Sequence, residues 1–391
     1  MKTIHIQIPY REIEQREKRW QKALRFERPD RVPVLHYIGA RYWLPLIGYG
    51  EKFHQYTGDP RTMLECQLLG QKWILENVKS DFHRIVVYPD FMWVEDVDAF
   101  GARTVFPEAD SPWVARPHLL QSDEDLSKLR RVDWVNGGLH GKMLRYYHEM
   151  KIIAADFQLE FEDGRRLPAV DCVHPGGSGI IGIAGLAGDL CSVEKFSMDM
   201  YDKPEWVKEL LEIIVDKAID WVDAVVKLSG GEAAFCSDLY YKIIHVGDDG
   251  TAQMSPDQIE EFMAGPHRRL ADHIRRLGFQ VQAHNCGRAD HLLKFWADEV
   301  RVNRYIGFSY LTDKQALRRI MGGKIVLMGG IDTVKLHDGK REEVLEDCRR
   351  NLEIFKDCPG YIMMDGHNVA PGTPVENLNA MAEAAARYGS F

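Results

Sequence analysis

Gln280-Val281-Gln282-Ala283-His284-Asn285-Cys286-Gly287 is a short run that breaks off into polar residues and a glycine. Its first five residues, Gln280–His284, read as a strand, and 288–297 behind it read as a helix. The order repeats three times downstream, with strands at 302–308, 324–329 and Tyr361–Asp365 and helices at 313–321, 341–356 and 375–388. Each strand is apolar with little alternation, as expected where both faces of a parallel sheet are covered. Repeated strand–helix units of this length predict α/β architecture with a parallel sheet. A closed barrel and an open doubly wound sheet satisfy the pattern equally. In both, chemistry gathers at the carboxyl ends of the strands, a rule that selects Asp238, His284, Cys286, Asp332, Asp365 and His367.

Upstream, 10–28 is a charged amphipathic helix ending before Pro29, and Arg31-Val32-Pro33-Val34-Leu35 reads as a buried strand. Residues up to about 150 are mixed, with helix near 60–79, and no composition break cuts the chain. A strand is expected at 169–173, then a glycine-rich loop at 176–188, a long helix at 204–228 opened by Pro204, and a strand at 233–238 ending in Asp238. Ser255-Pro256-Asp257 caps a helix running to about Leu277.

The chain has 391 residues and a formal charge of 50 − 59 = −9. The acidic balance and the lack of a long basic run argue against nucleic acid as a partner. No stretch of about 18 apolar residues suggests a membrane span. The start carries no signal-peptide core, so the seven cysteines read as reduced thiols in a cytoplasmic protein.

His284 and Cys286 lie two apart at a strand end, so both side chains can turn into one mouth. Imidazole with thiolate suits zinc, which lowers the pKa of a bound thiol or water. A buried cysteine beside a hydrogen-bonded histidine fits the same spacing. His367, just past the last strand, would be a third ligand in a barrel, where three protein ligands with an open position make a catalytic zinc site. Asp238 could ligate, bind substrate or orient His284. Asp248 and Asp249 share a loop, where substrate contact and solvated turn chemistry are the alternatives. His174 could face the mouth; His245, His267, His273 and His291 are expected at the surface. Gly177-Ser178-Gly179-Ile180-Ile181-Gly182 matches a dinucleotide fingerprint, but the glycines that follow make a poor first helix turn, so it is expected to be a close-packed active-site loop.

These segments together resemble the uroporphyrinogen decarboxylase superfamily. The resemblance is carried by Ala23-Leu24-Arg25-Phe26-Glu27-Arg28-Pro29-Asp30-Arg31-Val32-Pro33-Val34, by Met254-Ser255-Pro256, by His284-Asn285-Cys286-Gly287, by Gly329-Gly330-Ile331-Asp332, and by Pro371-Gly372-Thr373-Pro374-Val375-Glu376-Asn377-Leu378. It implies a (β/α)8 TIM barrel spanning 1–391, with an N-terminal helical and loop elaboration of about 1–150 that includes the first barrel strand. The decarboxylase branch carries an arginine-rich stretch after the first signature, where this chain has His36-Tyr37-Ile38-Gly39-Ala40-Arg41-Tyr42-Trp43 with Arg41 alone. The corrinoid-dependent methyltransferase branch carries His-x-Cys plus a later Cys or His, matched by His284, Cys286 and His367.

The expectation is therefore a methyltransferase that moves a methyl group between a small substrate (an ether, amine or thiol) and the cobalt of a corrinoid protein. Zinc would sit at His284, Cys286 and His367, and the cobamide would arrive on the partner. Asp238 or Asp248 would handle a proton or orient substrate; Arg41, His174, Tyr240, Asp249 and Asp332 would contact it. A metal-free decarboxylase and a non-catalytic tetrapyrrole- or corrinoid-binding barrel are the alternatives. Decarboxylase relatives are often dimers, which makes a homodimer one expected state.

Overall fold

A computed structural model describes residues 1–49, 53–81, 85–108, 110–123, 126–176, 179–231, 242–366 and 368–391. Among them run eleven strands: β1 (Lys2–Ile6), β2 (Val34–Leu35), β3 (Thr104–Val105), β4 (Trp113–Val114), β5 (Phe157–Phe161), β6 (Arg166–Pro168), β7 (Ile243–His245), β8 (Gln280–His284), β9 (Arg304–Phe308), β10 (Val326–Ile331) and β11 (Tyr361–Asp365).

β2, β11, β10, β9, β8 and β7 lie side by side in that order, parallel throughout. Narrow contacts carry the ring round from β2 to β7. The Asp81 N–H donates to the Val34 carbonyl at 2.7 Å, Val87 bridges Val173, and Ile180 bridges Val246. The segments at Ile85–Val87 and around Val173 and Ile180 thus complete eight staves with the six strands, a (β/α)8 barrel and not an open sheet. Outside this ring, β1 pairs in parallel with β5, which pairs with β6, so the first residues dock onto 157–168.

The barrel is closed from inside by alternate residues. Leu35, Ile306, Val326, Met328, Ile362 and Met364 pack together, and the helix Tyr10–Leu24 seats Trp20 and Ala23 against them. Phe26 follows with a positive φ and lies 2.7 Å from where a Cβ on Gly360 would be. Gly360 precedes β11, so this helix plugs the amino-terminal end and leaves the other end as the mouth.

Several expected elements form where the spacing put them, including the helices Pro204–Leu228 and Val375–Tyr388 and the capping box of Ser255 with Gln258. Three do not. Residues Ala169–Cys172 are a 3₁₀ turn, not a strand, because the chain reverses there and only Val173 pairs across to Val87. Half of the expected loop at 176–188 is a helix, Ile183–Cys191, whose Ile183, Leu186, Ala187 and Leu190 are all buried. Burial of that face outweighs the glycine penalty of roughly 1 kcal/mol per residue. The helix expected at 288–297 is a 3₁₀ turn, Asp290–Leu292, followed by a π turn, Phe295–Glu299. The strand expected at 233–238 lies outside the described residues. No helix among the described residues is long and apolar enough to cross a membrane.

Replacing Trp20 by alanine removes the largest side chain of the plug. Trp20→Ala is expected to cost about 3–5 kcal/mol in chemical denaturation, with a broader loss of cooperativity than a surface Trp113→Ala control.

Candidate active site

The fourth and fifth staves meet at the mouth, and Asp248 ties them together. Its side chain is fully buried, and its carboxylate accepts the Ala184 N–H at 2.8 Å and the Gly185 N–H at 3.1 Å, at the amino end of the helix Ile183–Cys191. An anion there is favoured by the free N–H groups and by the helix dipole. The motif that resembled a phosphate loop therefore holds a carboxylate of its own chain. The Asp248 N–H donates to the His284 carbonyl at 3.1 Å, and the Asp248 carbonyl accepts from Asn285 Nδ2 at 2.6 Å and Thr251 Oγ1 at 2.6 Å. Trp296 Nε1 donates to Asn285 Oδ1. His267 Nε2, fully buried, lies 3.3 Å from the Asp248 carboxylate.

With Asp248 turned inward, its neighbour Asp249 turns to the mouth. The Asp249 side chain keeps 48% of its exposure, and its Oδ1 accepts the Cys286 N–H at 2.7 Å. Its Oδ2 lies 3.5 Å from His284 Nε2. His284 Nδ1 is 3.0 Å from the Ile306 carbonyl, the acceptor that fixes the proton on Nδ1 and leaves Nε2 facing the mouth. One oxygen of Asp249, one nitrogen of His284 and Cys286 Sγ all lie within 4.8 Å of one another.

Burial opposes charge on His284, but Asp249 and Cys286 more than offset it and raise its pKa to about 10. Burial works against Asp249 as well, yet His284 and the Cys286 N–H hold it well below the usual carboxylate range. Among the described cysteines only Cys286 is partly exposed. Burial pushes the thiols of Cys66 and Cys191 up to about 12 and raises that of Cys358.

Close backbone approach builds this corner. Gly307, at φ +62°, sits against the His284 ring, where a Cβ would come within 2.4 Å of Nδ1 and 3.1 Å of the Gly366 carbonyl. A Cβ on Gly179 would meet the His245 carbonyl at 1.9 Å, and one on Gly182 the Asp248 carboxylate at 2.7 Å. His245 is buried on the mouth wall, its ring 6.3 Å from that of His284. Neither His245 nor His267 is at the surface, as the sequence had suggested: the first points inward from a strand, the second from a helix packed on the barrel.

The remaining expected residues are dispersed. Asp332 caps the helix Thr333–Asp338, accepting from Val334 N at 3.0 Å and Lys335 N at 3.3 Å. Arg41 is exposed on the short helix Ala40–Trp43, which follows β2. His174 is half-buried, its N–H given to the Val87 carbonyl. Asp238, Tyr240 and His367 lie outside the described residues. A cleft of about 980 Å³ lies away from the mouth, between the helices Tyr10–Leu24 and Val375–Tyr388. Arg19 and Arg31 are both paired there with buried Asp81.

Residues 15–388 match the family described as uroporphyrinogen decarboxylase (URO-D). The chain belongs to that family. It is an enzyme family that includes decarboxylases and methyltransferases. A uroporphyrinogen decarboxylase of Danio rerio is 24% identical over 388 residues, covering 95% of this chain and 93% of that protein. The methylcobamide:CoM methyltransferase MtaA of Methanosarcina barkeri is 23% identical over 217 residues, 54% of this chain and 57% of that one. A methyltransferase from Methanosarcina mazei superposes with a TM-score of 0.68 at 18% identity, covering 95% of this chain and 98% of that structure, a likeness of fold.

Two outcomes follow from this geometry. Gly307→Ala is expected to move the His284 ring and weaken divalent-metal binding at least tenfold in titration calorimetry, with the fold intact by circular dichroism. In metal-free protein, protonated His284 paired with Asp249 stabilises the fold fully below pH about 6.5, and that contribution is lost as pH rises through about 10. Asp249→Asn is expected to flatten this loss in denaturation curves taken across that range.

Proposed function

We propose that the chain is a methyltransferase that exchanges a methyl group between a small substrate and the cobalt of a corrinoid carried by a separate protein, with zinc in the mouth. The observation that carries this reading is the cluster of Asp249, His284 and Cys286 at the ends of adjacent staves. A thiolate, an imidazole nitrogen and a carboxylate oxygen are donors that zinc accepts. His284 presents Nε2 because Nδ1 is committed to Ile306, the usual arrangement behind a ligating histidine. Zinc would be held by His284 and Cys286 with Asp249 as third donor, and His367 is proposed as a further one. Bound there, zinc supplies Lewis acidity, which lowers the pKa of a thiol or polarises an ether oxygen.

The chain's own residues do the rest. Asp248 holds the Asp249 loop against the His284 carbonyl, so that three donors converge without a side chain having to search. Asp249 accepts the Cys286 N–H and keeps the loop closed over the metal position. The relatives named above include a methylcobamide:CoM methyltransferase, which supports a corrinoid protein as partner.

A second reading has its own support: a relative aligned along nearly the whole chain is a uroporphyrinogen decarboxylase. A decarboxylase would use Arg41 to hold a substrate carboxylate and would need no metal. The two separate on one preparation. Cys286→Ser is expected to lose stoichiometric zinc by elemental analysis and at least 100-fold of methyl transfer from a methylated corrinoid protein. Full metal and full transfer in the variant, or CO₂ release by metal-free wild type, would overturn the methyltransferase reading.

A further inference from the structure

We propose that Asn285, the residue between His284 and Cys286, is a positioning residue of this mouth: its side chain sets where Asp249 stands. This rests on the proposed metal position, and its test uses no metal.

Asn285 follows β8 and is fully buried. Its side-chain amide is bound at both ends. Oδ1 accepts from Trp296 Nε1. Nδ2 donates to the Asp248 carbonyl at 2.6 Å and to Thr251 Oγ1 at 3.3 Å. An indole N–H only donates, so it fixes which end of the amide is the oxygen and turns the NH₂ toward Asp248. The Asp248 carbonyl belongs to the peptide unit from which Asp249 starts. Thr251 Oγ1 and the Thr251 N–H reach the same oxygen at 2.6 and 3.2 Å. Turning that peptide breaks contacts sealed from water, and a buried polar group left unmade is costly.

One residue thus spans two loops. Through its backbone Asn285 belongs to the exit of β8, with a metal donor on each side of it. Through its amide it grips the loop after β7, which carries the third donor. The bond from the Cys286 N–H to Asp249 Oδ1, 2.7 Å long, closes the same gap from the other end.

The grip has its own support. Trp296 is the second residue of the π turn Phe295–Glu299, a rare conformation that is frequent at functional sites. Its indole is fully buried, with ring centroids 4.9 Å from Phe295 and 5.2 Å from His267. His267 Nδ1 donates to the Met263 carbonyl at 2.9 Å, at the end of a second π turn, Ile259–Met263. The two π turns wedge the indole, and the indole aims the amide. An aspartate at 285 would keep the shape and still accept from Trp296, but it has no N–H to offer the Asp248 carbonyl.

Amide hydrogen exchange, followed by NMR in the metal-free full chain, reads the place of Asp249, because Asp249 is the acceptor of the Cys286 N–H. In Asn285→Asp that N–H is expected to exchange at least about tenfold faster than in wild type. The Leu327 and Met363 N–H groups, bound to the Gly360 and Pro33 carbonyls, are expected to stay within about twofold of wild type. Trp296→Phe keeps a ring in the wedge and is expected to speed Cys286 exchange about threefold, a measure that stands if Asn285→Asp does not fold. Asp249→Ala removes the acceptor, so adding Asn285→Asp to it is expected to change the Cys286 rate by less than about twofold, as for two changes acting through one contact. An unaltered Cys286 rate in both single variants at positions 285 and 296, equal acceleration at Leu327 and Met363, or effects that multiply in the double variant would each overturn the proposal. A wild-type chain that takes up no divalent metal would overturn the metal reading instead, while the exchange rates still decide the role of Asn285.

Discussion

The site depends on a fully buried carboxylate, Asp248. An unpaired anion there would cost several kcal/mol. Two N–H groups at a helix start meet that cost. With the bond from the Asp248 N–H to the His284 carbonyl, they join the end of β7, the helix Ile183–Cys191 and the end of β8 in one knot. Asp249, His284 and Cys286 hang from it. Their convergence is thus a property of the scaffold, present before any ligand arrives, which is the condition for tight and selective metal capture.

Adjacent aspartates divide two tasks. Asp248 caps the 3₁₀ helix Asp249–Gln253 that Asp249 opens, so the backbone turns between them, and one carboxylate anchors while the next stays exposed at the mouth. On the helix Glu95–Ala99, Asp96 likewise anchors, accepting from Ile181 and pairing with His140.

Much of this was legible from residue order. The strand–helix rhythm from 280 onward located four staves and the ends at which chemistry would collect, because a buried parallel strand needs an unbroken apolar run. His284 and Cys286 were found for the same reason. Which of Asp248 and Asp249 faces the mouth could not be read, since that depends on a helix built from residues 60 positions earlier. That helix was itself masked by its glycines, whose cost is local and visible while the burial that outweighs it is not. His245 and His267 were misjudged because an isolated histidine carries no periodic signal.

Five of the six described thiols are sealed in the core, and the one left reachable, Cys286, is beside the metal position. Oxidants attack thiolates in order of access. Exposure to air or peroxide therefore strikes the centre first and spares the scaffold. With zinc held there as proposed, a sulfinic acid at Cys286 would not replace the thiolate donor, and metal loss would come without loss of the fold.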